Sequence, residues 1–139
     1  MLSLGVAVPR RRPQQLGQEI ATLDRLSGGR MILGVGLGAP IENEYARFGE
    51  PTDLKGLAGM LDEGLEVMTL LWSGEPVTFH GKHFKVDDVI MRPRPLQHPR
   101  VPIWVGGDWP KKGPPVAQPD GTAHSSTPAM YGINHPMLL

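Results

Sequence analysis

The chain has 139 residues, and Lys plus Arg and Asp plus Glu both count 14, so no overall field draws it to nucleic acid or to a membrane surface. It has no cysteine, which excludes a disulfide framework and a thiolate metal site, and its first residues show neither a long apolar run nor a signal-peptide pattern. A cytoplasmic location is therefore the expectation.

Residues 2–8 form a short apolar run stopped by Pro9, the signature of a buried strand entering a turn, and this strand is expected to begin upstream of Met1. Pro13 stands where a first helical turn accepts proline, and Leu16, Ile20, Leu23 and Leu26 follow on one stripe. The spacing predicts a helix over 13–27. Gly28 and Gly29 stop it, and Arg30 leads into Met31, Ile32, Leu33, Gly34, Val35 and Gly36, which are apolar on both faces as in an inner strand of a parallel sheet.

Residues 39–51 are polar and long enough for a working loop. Thr52 or Asp53 caps the next helix, whose stripe is Leu54, Leu57, Ala58, Leu61, Leu65, Met68 and Trp72, with an end near Ser73 and Gly74. Asp62, Glu63 and Glu66 fall on its wet face. Segments 77–79 and 83–86 flank a His-Gly-Lys turn and predict an antiparallel hairpin. Prolines 93, 95, 99 and 102 then exclude regular structure until Ile103, Trp104 and Val105, which close on Gly106 and Gly107. Strands alternating with helices argue for parallel β/α architecture without separating an open sheet from a barrel.

The succession of these segments carries a resemblance. Arg11-Arg12-Pro13, the stretch 21–30 (ATLDRLSGGR) and the run 33–38 (LGVGLG) resemble the bacterial luciferase-like monooxygenases. So do 61–65 (LDEGL), 71–74 (LWSG), 79–84 (FHGKHF) and 102–107 (PIWVGG), in the family's order and at its spacing. The resemblance covers residues 1–113 and implies an α/β fold of the (β/α)8 TIM-barrel type. A whole barrel needs about 250 residues, so the expectation is a partial barrel of about three parallel strands, with helices and a β-hairpin insertion, matching the family's third to fifth strands.

Residues 114–139 show no folding pattern. A reading of the codons for residues 115–122 displaced by one base permits Arg-Arg-Ala-Ala-Arg-Trp-Asp-Gly, similar to the family's next helix. The expectation is two regions, a partial barrel over 1–113 and a tail over 114–139 that leaves the family's reading frame near Gly113 or Pro114.

The resemblance further implies FMN, or a 5-deazaflavin coenzyme in some branches, held at the C-terminal ends of the strands. It points to Gly36 and Gly38, where the absence of a Cβ lets backbone N–H groups approach a ring or phosphate, and to Gly106 and Gly107 for phosphate or ring contact. Tight packing and turn formation are the competing roles for all four. Asp108 and Trp109 are nearby loop candidates. Asn43, Glu44 and Tyr45 lie on the long loop from which barrel enzymes draw ligands, although a solvated loop carboxylate is the commoner outcome for Glu44. Arg10, Arg11 and Arg12 read as a solvated helix start more than as an anchor for an anionic cofactor tail. His80, His83 and His98 share no regular spacing with a carboxylate, so no metal site is expected, and no catalytic residue stands out.

The functional expectation is a flavin-dependent monooxygenase that uses reduced flavin and O2 on a small organic substrate. The alternatives are a deazaflavin-dependent hydride-transfer oxidoreductase, and a non-catalytic product or module that self-associates through open sheet edges.

Overall fold

The computed structural model describes residues 2–107 and 129–132. The elements run β1 (Leu2–Ala7), α1 (Pro13–Leu26), β2 (Met31–Gly36), α2 (Ile41–Glu44), α3 (Leu54–Leu71), β3 (Val77–His80), β4 (Lys85–Val89), β5 (Ile103–Gly107) and β6 (Ala129–Gly132), with short 3-10 turns at Val8–Arg10 and Ala46–Phe48. The main sheet has the order β1-β2-β5-β6, and β3 and β4 form a separate hairpin.

β1, β2 and β5 are parallel, with Leu4 opposite Leu33 and Leu33 opposite Ile103. This is the strand arrangement expected from the doubly apolar runs. Met31, Leu33, Val35 and Ile103 are at most 3% exposed and face α1 and α3, where Leu16, Ile20, Leu65, Met68, Leu71 and Trp72 complete the core. Each such side chain contributes about 1.5–3 kcal/mol through its removal from water. α1 and α3 meet at Gly17, where a Cβ would stand 3.6 Å from Met68 and 3.7 Å from Trp72 Nε1, ordinary contact distances, and that indole donates to the Gly17 carbonyl at 3.0 Å.

The helix limits follow local chemistry. Pro13 opens α1, and Gly28 and Gly29, both at positive φ, close it. Asp53 is the cap of α3, accepting from Gly56 N–H at 2.8 Å.

The structure departs from the sequence expectation at several element limits. β1 ends at Ala7 because Val8 turns into the 3-10 turn and is buried. The second hairpin strand starts at Lys85 rather than His83, because the His83 and Phe84 N–H groups are taken by the Glu63 carboxylate instead of a ladder. The loop over 39–51 contains α2 and a 3-10 turn, closed by Gly49 at a φ of +70°. Within the region read as patternless, Ala129–Gly132 pairs antiparallel with β5, Gly107 opposite Ala129. Four residues without apolar alternation give no strand signal, so backbone pairing alone marks them.

Candidate functional site at the strand ends

The C-terminal ends of β1, β2 and β5 lie side by side, the edge from which parallel β/α proteins build their sites. The register assigns two faces to this sheet. Met31, Leu33 and Val35 point to the helices, while Ile32, Gly34 and Gly36 share the opposite face with Ser3, Gly5 and Ala7 of β1 and Trp104 and Gly106 of β5. Towards the ends of β1, β2 and β5 that opposite face carries Ala7, Gly36 and Gly106.

Their smallness is not demanded by packing. A Cβ on Gly36 would meet the Gly106 carbonyl at 3.7 Å, and one on Gly106 would meet the Val35 carbonyl at 3.6 Å, both ordinary contacts. Neither residue has positive φ. The backbone there carries no side chain beyond Cα at Gly36 and Gly106.

Gly38 is different. Its φ is +85°, and a Cβ would stand 3.2 Å from Ala7 Cβ, 3.5 Å from Tyr45 Cε2 and 3.7 Å from Glu44 Cγ. It joins β1, β2 and the following loop at one point. Tyr45 is buried there and donates its hydroxyl to the Leu37 carbonyl. Burial pushes its phenol above the usual value, so it remains a neutral donor through neutral pH.

Arg10, just beyond β1, reaches the same loop. Its Nη1 meets Glu44 Oε2 at 3.1 Å, its Nε meets Glu50 Oε2 at 3.1 Å, and its guanidinium lies 5.7 Å from the Tyr45 ring centre and 5.4 Å from that of Phe48. The expectation of a solvated helix start holds for Arg12, while Arg10, also exposed, is held at the loop by its ion pairs. Arg10 stands outside α1 because Pro9 and the 3-10 turn aim it at the loop, while Arg11 pairs with Glu19 and only Arg12 adjoins the helix as its cap.

Of the expected site residues, Gly36, Gly38, Gly106 and Glu44 gather at the strand ends. Gly107 ends β5 opposite Ala129. Asn43 is exposed on α2 with its backbone N–H on the Pro40 carbonyl. Asp108 and Trp109 lie outside the described residues.

Two carboxylates matter more than their sequence positions suggest. Asp24 is fully buried and accepts from Leu96 N–H at 2.8 Å, Gln97 N–H at 3.0 Å, Gln97 Nε2 at 2.7 Å and Met31 N–H at 3.3 Å. Burial alone would raise its pKa, but these bonds outweigh it and hold the carboxyl below the usual range. Glu63, expected on a wet helix face, instead accepts from the N–H groups of Lys82, His83 and Phe84 at 2.7, 2.8 and 3.1 Å. Its pKa is likewise lowered, the backbone bonds exceeding the effect of burial. The hairpin turn folds back onto α3, and helical spacing carries no information about that.

Among the histidines, His80 pairs with Asp87, and His83 lies against Gly59, where a Cβ would stand 2.7 Å from its Nε2. Among the described residues no group of three His, Cys, Asp or Glu side chains is placed to hold a metal ion. No described helix is long and apolar enough to cross a membrane.

The sequence pattern that defines the luciferase-like monooxygenases matches residues 1–112. The chain belongs to this family. Its structural neighbours are luciferase-like TIM-barrel enzymes, so the parallel layer and its helices are part of an α/β barrel. Among curated relatives, the F420-dependent glucose-6-phosphate dehydrogenase of Microbacterium testaceum is 35% identical over 101 residues, 73% of this chain and 29% of that protein. Monooxygenase RslO1 from Streptomyces bottropensis superposes with a TM-score of 0.63 at 29% identity, over 74% of this luciferase-like chain and 30% of its own. An F420-dependent secondary alcohol dehydrogenase in complex with an F420-acetone adduct superposes with a TM-score of 0.61 at 33% identity, over 70% of this chain and 29% of its own. The luciferase-like chain spans 28% to 48% of the length of the first curated relatives it matches.

Proposed function

We propose that this luciferase-like chain belongs to an oxidoreductase that binds a 5-deazaflavin coenzyme of the F420 type at the ends of β1, β2 and β5 and acts on a small organic substrate. The observation that carries this reading is the bare backbone at Ala7, Gly36 and Gly106, on the open face of a sheet whose relatives include F420-dependent dehydrogenases. In this reading Gly36, Gly38, Gly106 and Gly107 hold the coenzyme through backbone contact, and Asn43 and Glu44 line the rim from the loop. When bound, a reduced deazaflavin supplies hydride, whereas reduced FMN with O2 supplies an oxygen atom. The chain's own part is to seat the ring flat against the glycines, to shield it on one side with the Trp104 side chain, and to keep the loop wall in place through Tyr45.

FMN and oxygen insertion form the second reading, favoured by the likeness to monooxygenase RslO1. Equilibrium titration of the purified chain with F420 and with FMN, followed by coenzyme fluorescence, tests both. F420 binding that weakens at least tenfold in Gly36→Val and Gly106→Val is the expected result. Tight FMN binding without F420 binding selects the second reading, and binding of neither coenzyme overturns both.

A further inference from the structure

Arg10 joins two parts of the chain that sequence keeps far apart. Its partners Glu44 and Glu50 are 34 and 40 residues away, both on the loop between β2 and α3. Three different guanidinium nitrogens are engaged, with Nη2 meeting Glu50 Oε1 at 3.4 Å beside the Nε contact, and the plane lies near two aromatic rings. A fork of fixed shape between two carboxylates and two rings specifies one loop position, which a point charge on a flexible stem does not.

The loop position in turn reaches the strand ends. Tyr45 touches Gly38, its hydroxyl holds the Leu37 carbonyl, and Gly38 abuts Ala7 at the end of β1. The Arg10, Glu44 and Glu50 charges sum to minus one, so this cluster does not recruit an anionic ligand. Its role is mechanical.

We infer that Arg10 is a positioning residue, clipping the 41–50 loop against the end of β1 so that Tyr45 and the Gly36–Gly38 turn present a fixed wall to the coenzyme. This rests on the flavin-type reading above for the identity of what the wall faces, though the clip itself does not.

The test compares wild type, Arg10→Met, Arg10→Lys and the Glu44→Gln/Glu50→Gln double variant, with Arg11→Met as a control for charge loss next door. Hydrogen exchange is read at the amides of Tyr45, Phe48, Gly49 and Glu50, which bond within the loop. Dissociation constants are measured for FMN and for F420. Arg10→Met and the double variant are expected to speed loop exchange about tenfold while amides in α1 and α3 stay unchanged, and to weaken the coenzyme that wild type binds at least fivefold. Arg10→Lys falls between, and Arg11→Met matches wild type. Unchanged loop exchange in both clip variants overturns the inference. Faster loop exchange with unchanged affinity also overturns it, leaving the flavin reading intact. A wild-type chain that binds neither coenzyme overturns the flavin reading and the positioning role with it, and the exchange ratios separate that failure from failure of the clip.

Discussion

The ring of Tyr45 packs against the backbone of Gly38, its Cε2 standing 3.5 Å from where a Cβ would project. At a φ of +85° that glycine also holds a conformation that costs any L side chain about 1–2 kcal/mol. Gly38→Ala is therefore expected to destabilise by about 1–3 kcal/mol, combining strain with the 3.2 Å approach to Ala7. Gly5→Ala is the matched control, since a Cβ at Gly5 meets nothing within 4 Å. Urea denaturation of the two variants should separate them clearly, and equal midpoints would contradict this account.

Asp24→Asn keeps the shape of the side chain but loses one acceptor oxygen and the charge. Three backbone N–H groups and the Gln97 amide converge on the original carboxylate, so the cost at neutral pH is expected to be about 2–4 kcal/mol. The pH dependence has a definite sign. The folded-state pKa lies below that of an ordinary aspartate, so the stabilisation is fully present above the ordinary value and is lost as pH falls through the folded-state pKa. The stability gap between wild type and Asp24→Asn should therefore narrow only below about pH 4. A gap that is flat down to pH 2 would argue against an ionised Asp24.

Glu63→Ala removes the acceptor for three hairpin N–H groups. Amide exchange at Lys82, His83 and Phe84 should rise well above that of the α3 amides, with a stability loss of about 1–2 kcal/mol. Cleavage at the turn by a protease of broad specificity should become faster. An unchanged exchange pattern would show that the hairpin holds without this carboxylate.

Asp88 is the single non-glycine residue at positive φ among the described residues, at +48°, within β4. Strand propensity favours valine over glycine at an exposed strand position, whereas the left-handed backbone favours glycine. The backbone term should win: Asp88→Gly is expected to match or exceed wild type, and Asp88→Val to lose about 1–2 kcal/mol. Thermal melts of the pair decide which term dominates.

Much of the fold was legible because its signals are local. Leu16 and Ile20 mark one helix face, Gly28 and Gly29 mark its end, and the unbroken apolar run from Met31 to Val35 marks an inner strand paired along both edges. Gly36, Gly38 and Gly106 were legible as strand-end positions for the same reason. What stayed hidden depends on partners far along the chain. Arg10 looked like part of a basic cluster, since nothing near it announces Glu44 and Glu50. Glu63 looked solvated, since its helical neighbours are charged and its three donors come from 19 to 21 residues later. Asp24 carries one visible hint, a carboxylate set between Leu23 and Leu26 near the apolar stripe of α1.

The Asp24 anchor bears on how the chain assembles. β2 and β5 are neighbours in the sheet, yet roughly 70 residues, including α3 and the hairpin, intervene between Leu33 and Ile103, so their pairing carries the largest loop-closure entropy of the parallel layer. Asp24 sits on α1 and grips Leu96 and Gln97, a few residues before β5 begins. Once that grip is made, the last parallel strand has only a short tether left to search, and its entry into the sheet becomes a nearly local event.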